Sequence, residues 1–167
     1  MPLAEMDETV LAAITGQPFA GSALFDRTFE EGMSLVEEAA RYFDGRGREE
    51  AQQLPKAAAM LYSSESLRVT TRLMQAASWL LVQRAVHEGD MAAEDAADDR
   101  YRLGSKDICF GGGKEDTAIL PRTLRTLLAR SDSLYRRVAR LEEVLRNSGR
   151  NIGVHGQLAQ LQEAFGA

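Results

Sequence analysis

Apolar residues recur along the chain at steps of three and four, and no stretch alternates as a half-buried strand does, so the sequence predicts an all-α fold. A first helix is predicted from about Ser22 to Phe43, with Phe25, Phe29, Met33, Val36, Ala40 and Phe43 on one apolar stripe. Ser22 is a fitting N-cap, Asp26, Glu30 and Glu31 favour the positive end of the helix dipole, and Gly45 with Gly47 closes the helix. Pro55 suits the first turn of a second helix, which meets no breaker before Gly89 and would reach ~50 Å at 1.5 Å per residue. A third begins near Leu120 and Pro121. Its Leu120, Leu124, Leu127, Ser131, Leu134, Val138, Leu141 and Leu145 alternate steps of four and three, the seam of left-handed helix packing. It is expected to stop at Asn147 to Gly149.

The predicted architecture is a three-helix bundle with a long central helix, occupying residues 22–148. Residues 1–21 and 149–167 read as N-terminal and C-terminal tails. Residues 88–119 form an acidic and then Gly-rich connection of about thirty residues, where bundle loops usually take about 2 to 8. With Gly104 and Gly111 to Gly113 in its second part, it reads as a mobile loop.

On the long helix Glu65, Arg68, Arg72, Gln75, Trp79 and Gln83 project within about 80° of one another, a polar stripe containing a tryptophan. The remaining arc, Leu67, Val69, Leu73, Met74, Ala76, Ala77, Leu80, Leu81 and Ala85, is wider than a surface helix needs. Two intramolecular neighbours would leave part of it bare, and a second copy of the chain could cover the rest, so a homodimer is expected. Trp79 reads either as a packing residue at the edge of the core or as a partner-binding anchor among arginines.

Charge changes this picture by its distribution. The total over 167 residues is only −5, but residues 1–50 carry 4 basic and 11 acidic side chains, 51–87 carry 4 and 1, 88–120 carry 4 and 9, and 121–167 carry 8 and 4. The arginines of the last helix could neutralise phosphates, which keeps a small DNA-associated or transcriptional regulator as the alternative. Pairing with the acidic first helix, or across a dimer, accounts for them more simply, since no DNA-reading motif accompanies them and direct nucleic-acid binding is not expected. Acidic residues near the start and the lack of a long enough apolar run argue for a cytoplasmic chain without a membrane span.

Catalytic chemistry is not predicted. Cys109 is the lone cysteine, and neither His87 nor His155 pairs with it or with acids at a nucleophile or metal spacing. FGGGKE, residues 110–115, lacks the first glycine, the final hydroxyl and the preceding strand of a phosphate loop. No catalytic, cofactor-binding or metal-ligating residue is assigned. The candidate partner-binding residues are Arg68, Arg72, Gln75 and Trp79 of the stripe, and Glu94, Asp95, Asp98 and Asp99 of the acidic connection, which otherwise read as a solvated charge run.

The segment YSSESLRVTTRLMQAASWLLVQRAVHEGD, residues 62–90, resembles the signature of the RcdA family, regulators of CtrA degradation. Its Arg68, Thr71, Arg72, Trp79 and Gln83 pattern is not generic helix filler. The likeness extends to FEEGMSLVEEAARYFDGRGR (29–48), RYRLGSKDICFGGG (100–113) and LPRTLRTLLARSDSLYRRVARLEEVL (120–145), and spans about residues 24–146. The resemblance implies a dimeric three-helix bundle with a flexible inter-helix loop. It also implies a protease adaptor that, with other adaptors, helps deliver substrates such as the response regulator CtrA to ClpXP during the cell cycle.

Overall fold

The computed structural model describes the backbone of residues 23–112 and 116–165, and the side chains within those ranges as far as residue 148 together with 161 and 162. The expected tail at residues 1–21 lies outside them. Among the described residues there are helices and 3₁₀ turns and no strand. Helix α1 (Ala23–Asp44) leads through the short α2 (Arg46–Gln52) to the long α3 (Lys56–His87). After α3 the chain makes two four-residue helices, α4 (Ala93–Ala96) and α5 (Lys106–Cys109), with 3₁₀ turns at Asp99–Tyr101 and Thr117–Ile119. It ends in α6 (Arg122–Phe165).

The buried face of α1 is Phe25, Thr28, Gly32, Leu35, Ala39 and Tyr42. This corrects the expected stripe: Phe29, Met33, Val36 and Phe43 flank the contact half-buried, and Ala40 is exposed. The cause is close approach rather than hydrophobicity. A Cβ on Gly32 would lie 3.1 Å from Leu80 Cδ1, so the glycine brings α1 down onto α3 along its own row. At the next corner a Cβ on Gly47 would lie 2.7 Å from both the Tyr42 carbonyl oxygen and the Tyr62 hydroxyl, which leaves no room for a side chain. There Tyr62 donates to the Gly47 carbonyl and Tyr42 to Glu50, tying α1 and α2 to the start of α3.

The seam of α6 packs as its spacing predicts: Leu120, Leu124, Leu127, Ser131, Leu134, Val138 and Leu141 are buried, and Leu145 is packed against the same core. The expected stop at Asn147 to Gly149 does not occur, and the helix continues to Phe165. Glycine lowers helix propensity by only about 1 kcal/mol, and no proline follows Pro121 to remove a hydrogen bond.

Residue pairings fix the directions of the helices. Arg130 meets Glu38 and Arg137 meets Glu31, so α1 and α6 are antiparallel. Arg72 meets Leu128, Ser131 and Asp132, while Gln75 and Tyr135 both bind Gly104, so α3 and α6 run parallel. Parallel neighbours cannot be joined by a tight turn. The chain must return from His87 to Arg122 along roughly 35 Å of bundle, the length of the facing part of α6 at 1.5 Å per residue. The long connection is this return path.

Candidate functional site

The return path crosses the groove between α3 and α6, and it falls into two halves. In the first, Glu94, Asp95, Asp98 and Asp99 are all exposed. Asp98 caps the following 3₁₀ turn by accepting from the Arg100 backbone N–H, and Asp99 pairs with Arg102 and Arg146. The second half packs against the bundle at residues 103–109. Leu103 and Cys109 are buried in the core, and five side chains of α3 and α6 bind the backbone between residues 103 and 109.

Those five bonds determine what the polar stripe does. Arg68 donates to the Ile108 carbonyl and pairs with Glu65. Arg72 donates to the Cys109 carbonyl at 2.8 Å, to the Leu128 carbonyl and to Ser131, and pairs with Asp132 at 3.2 Å. Gln75 accepts from Gly104 N–H at 2.8 Å, Glu142 accepts from Leu103 N–H at 2.8 Å, and the Tyr135 hydroxyl donates to the Gly104 carbonyl. A segment of chain buried in a groove needs partners for its N–H and C=O groups, and Arg68, Arg72 and Gln75 of the stripe supply them together with Tyr135 and Glu142 of α6.

The central members of the stripe do not face solvent, and Trp79 takes the first of its two readings, a packing residue of the core. Arg72 is 5% exposed and Trp79 4%, while Arg68 and Gln75 are half-buried against the crossing chain. Trp79 forms part of the core and also lines a cleft with Gln83, Val86 and the α4 region. Burial pulls the Arg72 guanidinium below its ordinary range, with Asp132 opposing. The Gly-rich run has a corresponding use. A Cβ on Gly111 would lie 2.8 Å from Arg68 Nη1, and Gly112, with φ of +102°, lies against the same guanidinium.

Burial pushes the Cys109 thiol and the Tyr135 hydroxyl up from their usual values, and the two groups lie in hydrogen-bonding contact. A raised thiol is a poor nucleophile. Among the described residues no group of three His, Cys, Asp or Glu is placed to hold a metal ion. Nor is any described helix long and apolar enough to cross a membrane.

One feature of the surface escaped the sequence. Met60, Leu67, Met74 and Leu81, spaced seven apart on α3, are 67%, 59%, 64% and 52% exposed. They form a straight apolar line on the side of the helix turned away from α6 and the return path. The signal lies in the heptad spacing, whereas the apolar arc read from the sequence holds Leu67, Met74 and Leu81 undivided and does not reach Met60.

The family model described as "Protein of unknown function (DUF1465)" matches residues 16–165. Among solved structures, the chain is similar to the crystal structure of RcdA from Caulobacter crescentus CB15, with 52% sequence identity and a TM-score of 0.61, over 74% of this chain and 92% of that one. No curated protein matches the chain. Given this match over most of its length and its identity with RcdA, the chain belongs to the DUF1465 family, the family of RcdA.

Proposed function

We propose that the chain is a non-enzymatic adaptor of regulated proteolysis, which helps deliver substrates such as a CtrA-like response regulator to the ClpXP protease in cell-cycle control. The observation that carries this reading is the 52% identity to RcdA over 74% of the chain. An adaptor needs a rigid frame and accessible docking groups rather than a pocket with activated nucleophiles, and the buried, raised thiol of Cys109 agrees with that. The exposed carboxylates Glu94, Asp95, Asp98 and Asp99 are the proposed docking charges. Arg68, Arg72 and Gln75 act on partners from beneath, by holding residues 104–109 of the path that follows these carboxylates, and Trp79 lies against the Ala93–Ala97 wall that carries two of them. The adaptor works in the cytoplasm as a homodimer, and the line of Met60, Leu67, Met74 and Leu81 supports a second copy packed along α3, because apolar residues seven apart form a seam along which two helices can wind on each other.

The test is reconstituted degradation. A CtrA-like response regulator is incubated with ClpXP, the accessory adaptors and ATP, with and without the purified chain, and its loss is followed on gels. Faster loss with the chain is expected, and identical rates would overturn the reading. Replacing Glu94, Asp95, Asp98 and Asp99 by their amides should slow delivery and leave the melting temperature unchanged.

A further inference from the structure

Where the return path lies over α6 it leaves two clefts, of about 530 and 540 Å³. They share Arg102, Glu142 and Arg146, so they are two compartments of one surface depression. The first is an apolar slot. Trp79 and Val86 of α3, Leu145 of α6 and Ala93, Ala96 and Ala97 of the return path line it, with Tyr101 the one large aromatic side chain that the return path adds to its wall. The second is a basic trough, with Arg102, Lys106, Arg136, Arg140 and Arg146 in its wall. Phe110, 39% exposed, lies in the same trough with the Arg136 guanidinium 5.1 Å from its ring centroid.

These cations are not equivalent. Arg136 is held by Asp132, and Arg102 and Arg146 by Asp99. Lys106 and Arg140 make no ion pair among the described residues. Two positive charges outside any described ion pair therefore stand beside an apolar slot, with Glu142, whose carboxylate is taken up by the Leu103 N–H, and Glu143 in the same wall. We propose that slot and trough form one docking site for an acidic peptide segment of a partner protein, with an aliphatic side chain in the slot and carboxylates along Lys106 and Arg140.

The chemistry sets the direction of such a peptide. Glu94, Asp95 and Asp98 stand on or beside the alanine wall and would repel carboxylates there, so the apolar residue enters from that end and the acidic residues trail toward α5. The same distribution disfavours nucleic acid. Glu142 and Glu143 line the trough between the arginines, which spaced carboxylates tolerate better than a continuous phosphate backbone does, and duplex DNA offers nothing aliphatic for the slot. The site deepens the adaptor reading by giving a chemical class to one partner. It rests on that reading only for its biological meaning, since the binding can be measured without any protease.

The experiment uses the full chain and a fluorescein-labelled peptide with one leucine at its end followed by glutamates separated by serines, read by anisotropy at low and high salt. Saturable binding that weakens with salt is expected, as is loss of about tenfold in affinity or more on replacing the peptide's glutamates by glutamine. A K106E/R140E double variant should lose about tenfold as well and keep the parent melting temperature, because neither side chain supports the fold through an ion pair. Ala97→Trp, which fills the slot, should weaken the leucine peptide and leave its leucine-to-alanine counterpart unaffected. Equal affinity of parent and double variant would overturn the proposal. So would binding that appears only after residues 1–22 are removed, which would make the chain's own acidic segment the occupant. Dissociation of a dimer by K106E/R140E would assign the trough to a second copy, and capture of a DNA duplex through the same two cations would assign it to nucleic acid. Failure of degradation with intact peptide binding would count against the adaptor reading and leave this site standing.

Discussion

Two strips of α3 depart from the usual arrangement of a surface helix. Part of its buried side carries Glu65, Arg68, Arg72 and Gln75 beside the core residues Val69, Leu73, Ala76, Trp79 and Leu80, and its outward side carries the exposed line Met60, Leu67, Met74 and Leu81. The polar strip lies where the return path, rather than a long helix, covers α3. A covering helix would satisfy its own backbone, whereas the return path presents bare N–H and C=O groups at Leu103, Gly104, Ile108 and Cys109, and each finds a side chain of α3 or α6. The outward face is apolar with no described neighbour to require it, which is the usual mark of an interaction site. Polarity on this helix therefore reports what kind of backbone lies opposite, rather than where the solvent is.

The contrast breaks most visibly at Trp79. Trp79→Ala should cost about 3 to 5 kcal/mol, since it opens a large void between α3 and the packed part of the return path, and urea unfolding would read it as a lower midpoint. Next comes Arg72→Ala, at about 3 kcal/mol, because it leaves the Cys109 carbonyl without its donor and removes the buried partner of Asp132 and Ser131. Its particular signature is local: the amides of residues 103–109 should exchange faster while those of the α1 core keep their protection.

The thiol and hydroxyl buried behind the return path sharpen the comparison through pH. Both are raised in the folded chain, so the stability they contribute is fully present below their ordinary values, 9.0 for Cys109 and 10.0 for Tyr135. As pH rises past 9.0 the unfolded chain releases its thiol proton first, and stability should fall by up to about 1.4 kcal/mol per pH unit until the folded thiol also ionises. Denaturation midpoints from pH 8 upward would follow this slope, and Cys109→Ala should flatten its first part. On the outward face the effect on each folded chain should be smallest. Leu67→Gln with Met74→Gln should change its stability by about 0.5 kcal/mol or less, yet shift sedimentation toward the 18.4 kDa species if the apolar line joins two copies. A double variant that melts far below the parent and sediments unchanged would place that line in the fold instead.

The strongly periodic parts of the molecule were legible as sequence. The seam from Leu120 to Leu141 is buried as its spacing requires, and α3 runs from just after Pro55 to His87, two residues short of Gly89. Less regular features resisted. The buried row of α1 turned on Gly32, whose value lies in the Leu80 side chain it lets approach, and composition alone cannot show a neighbour that comes from fifty residues away. The end of α6 differs from its predicted stop because Gly149 is only a weak helix former and does not by itself end a helix.

By itself, then, the sequence determined the helical period, the long central element and the membership signature on α3, all of which depend on residues close together in the chain. Tertiary structure alone decided that α3 and α6 lie parallel. From that one arrangement follow the long crossing, the buried backbone polar groups of residues 103–109 and the inward turn of Arg72 and Gln75. A hydrophobic pattern specifies which side of a helix seeks company, but not whether the company will be a helix or a strand of loop, and only the latter asks for arginine and glutamine in return.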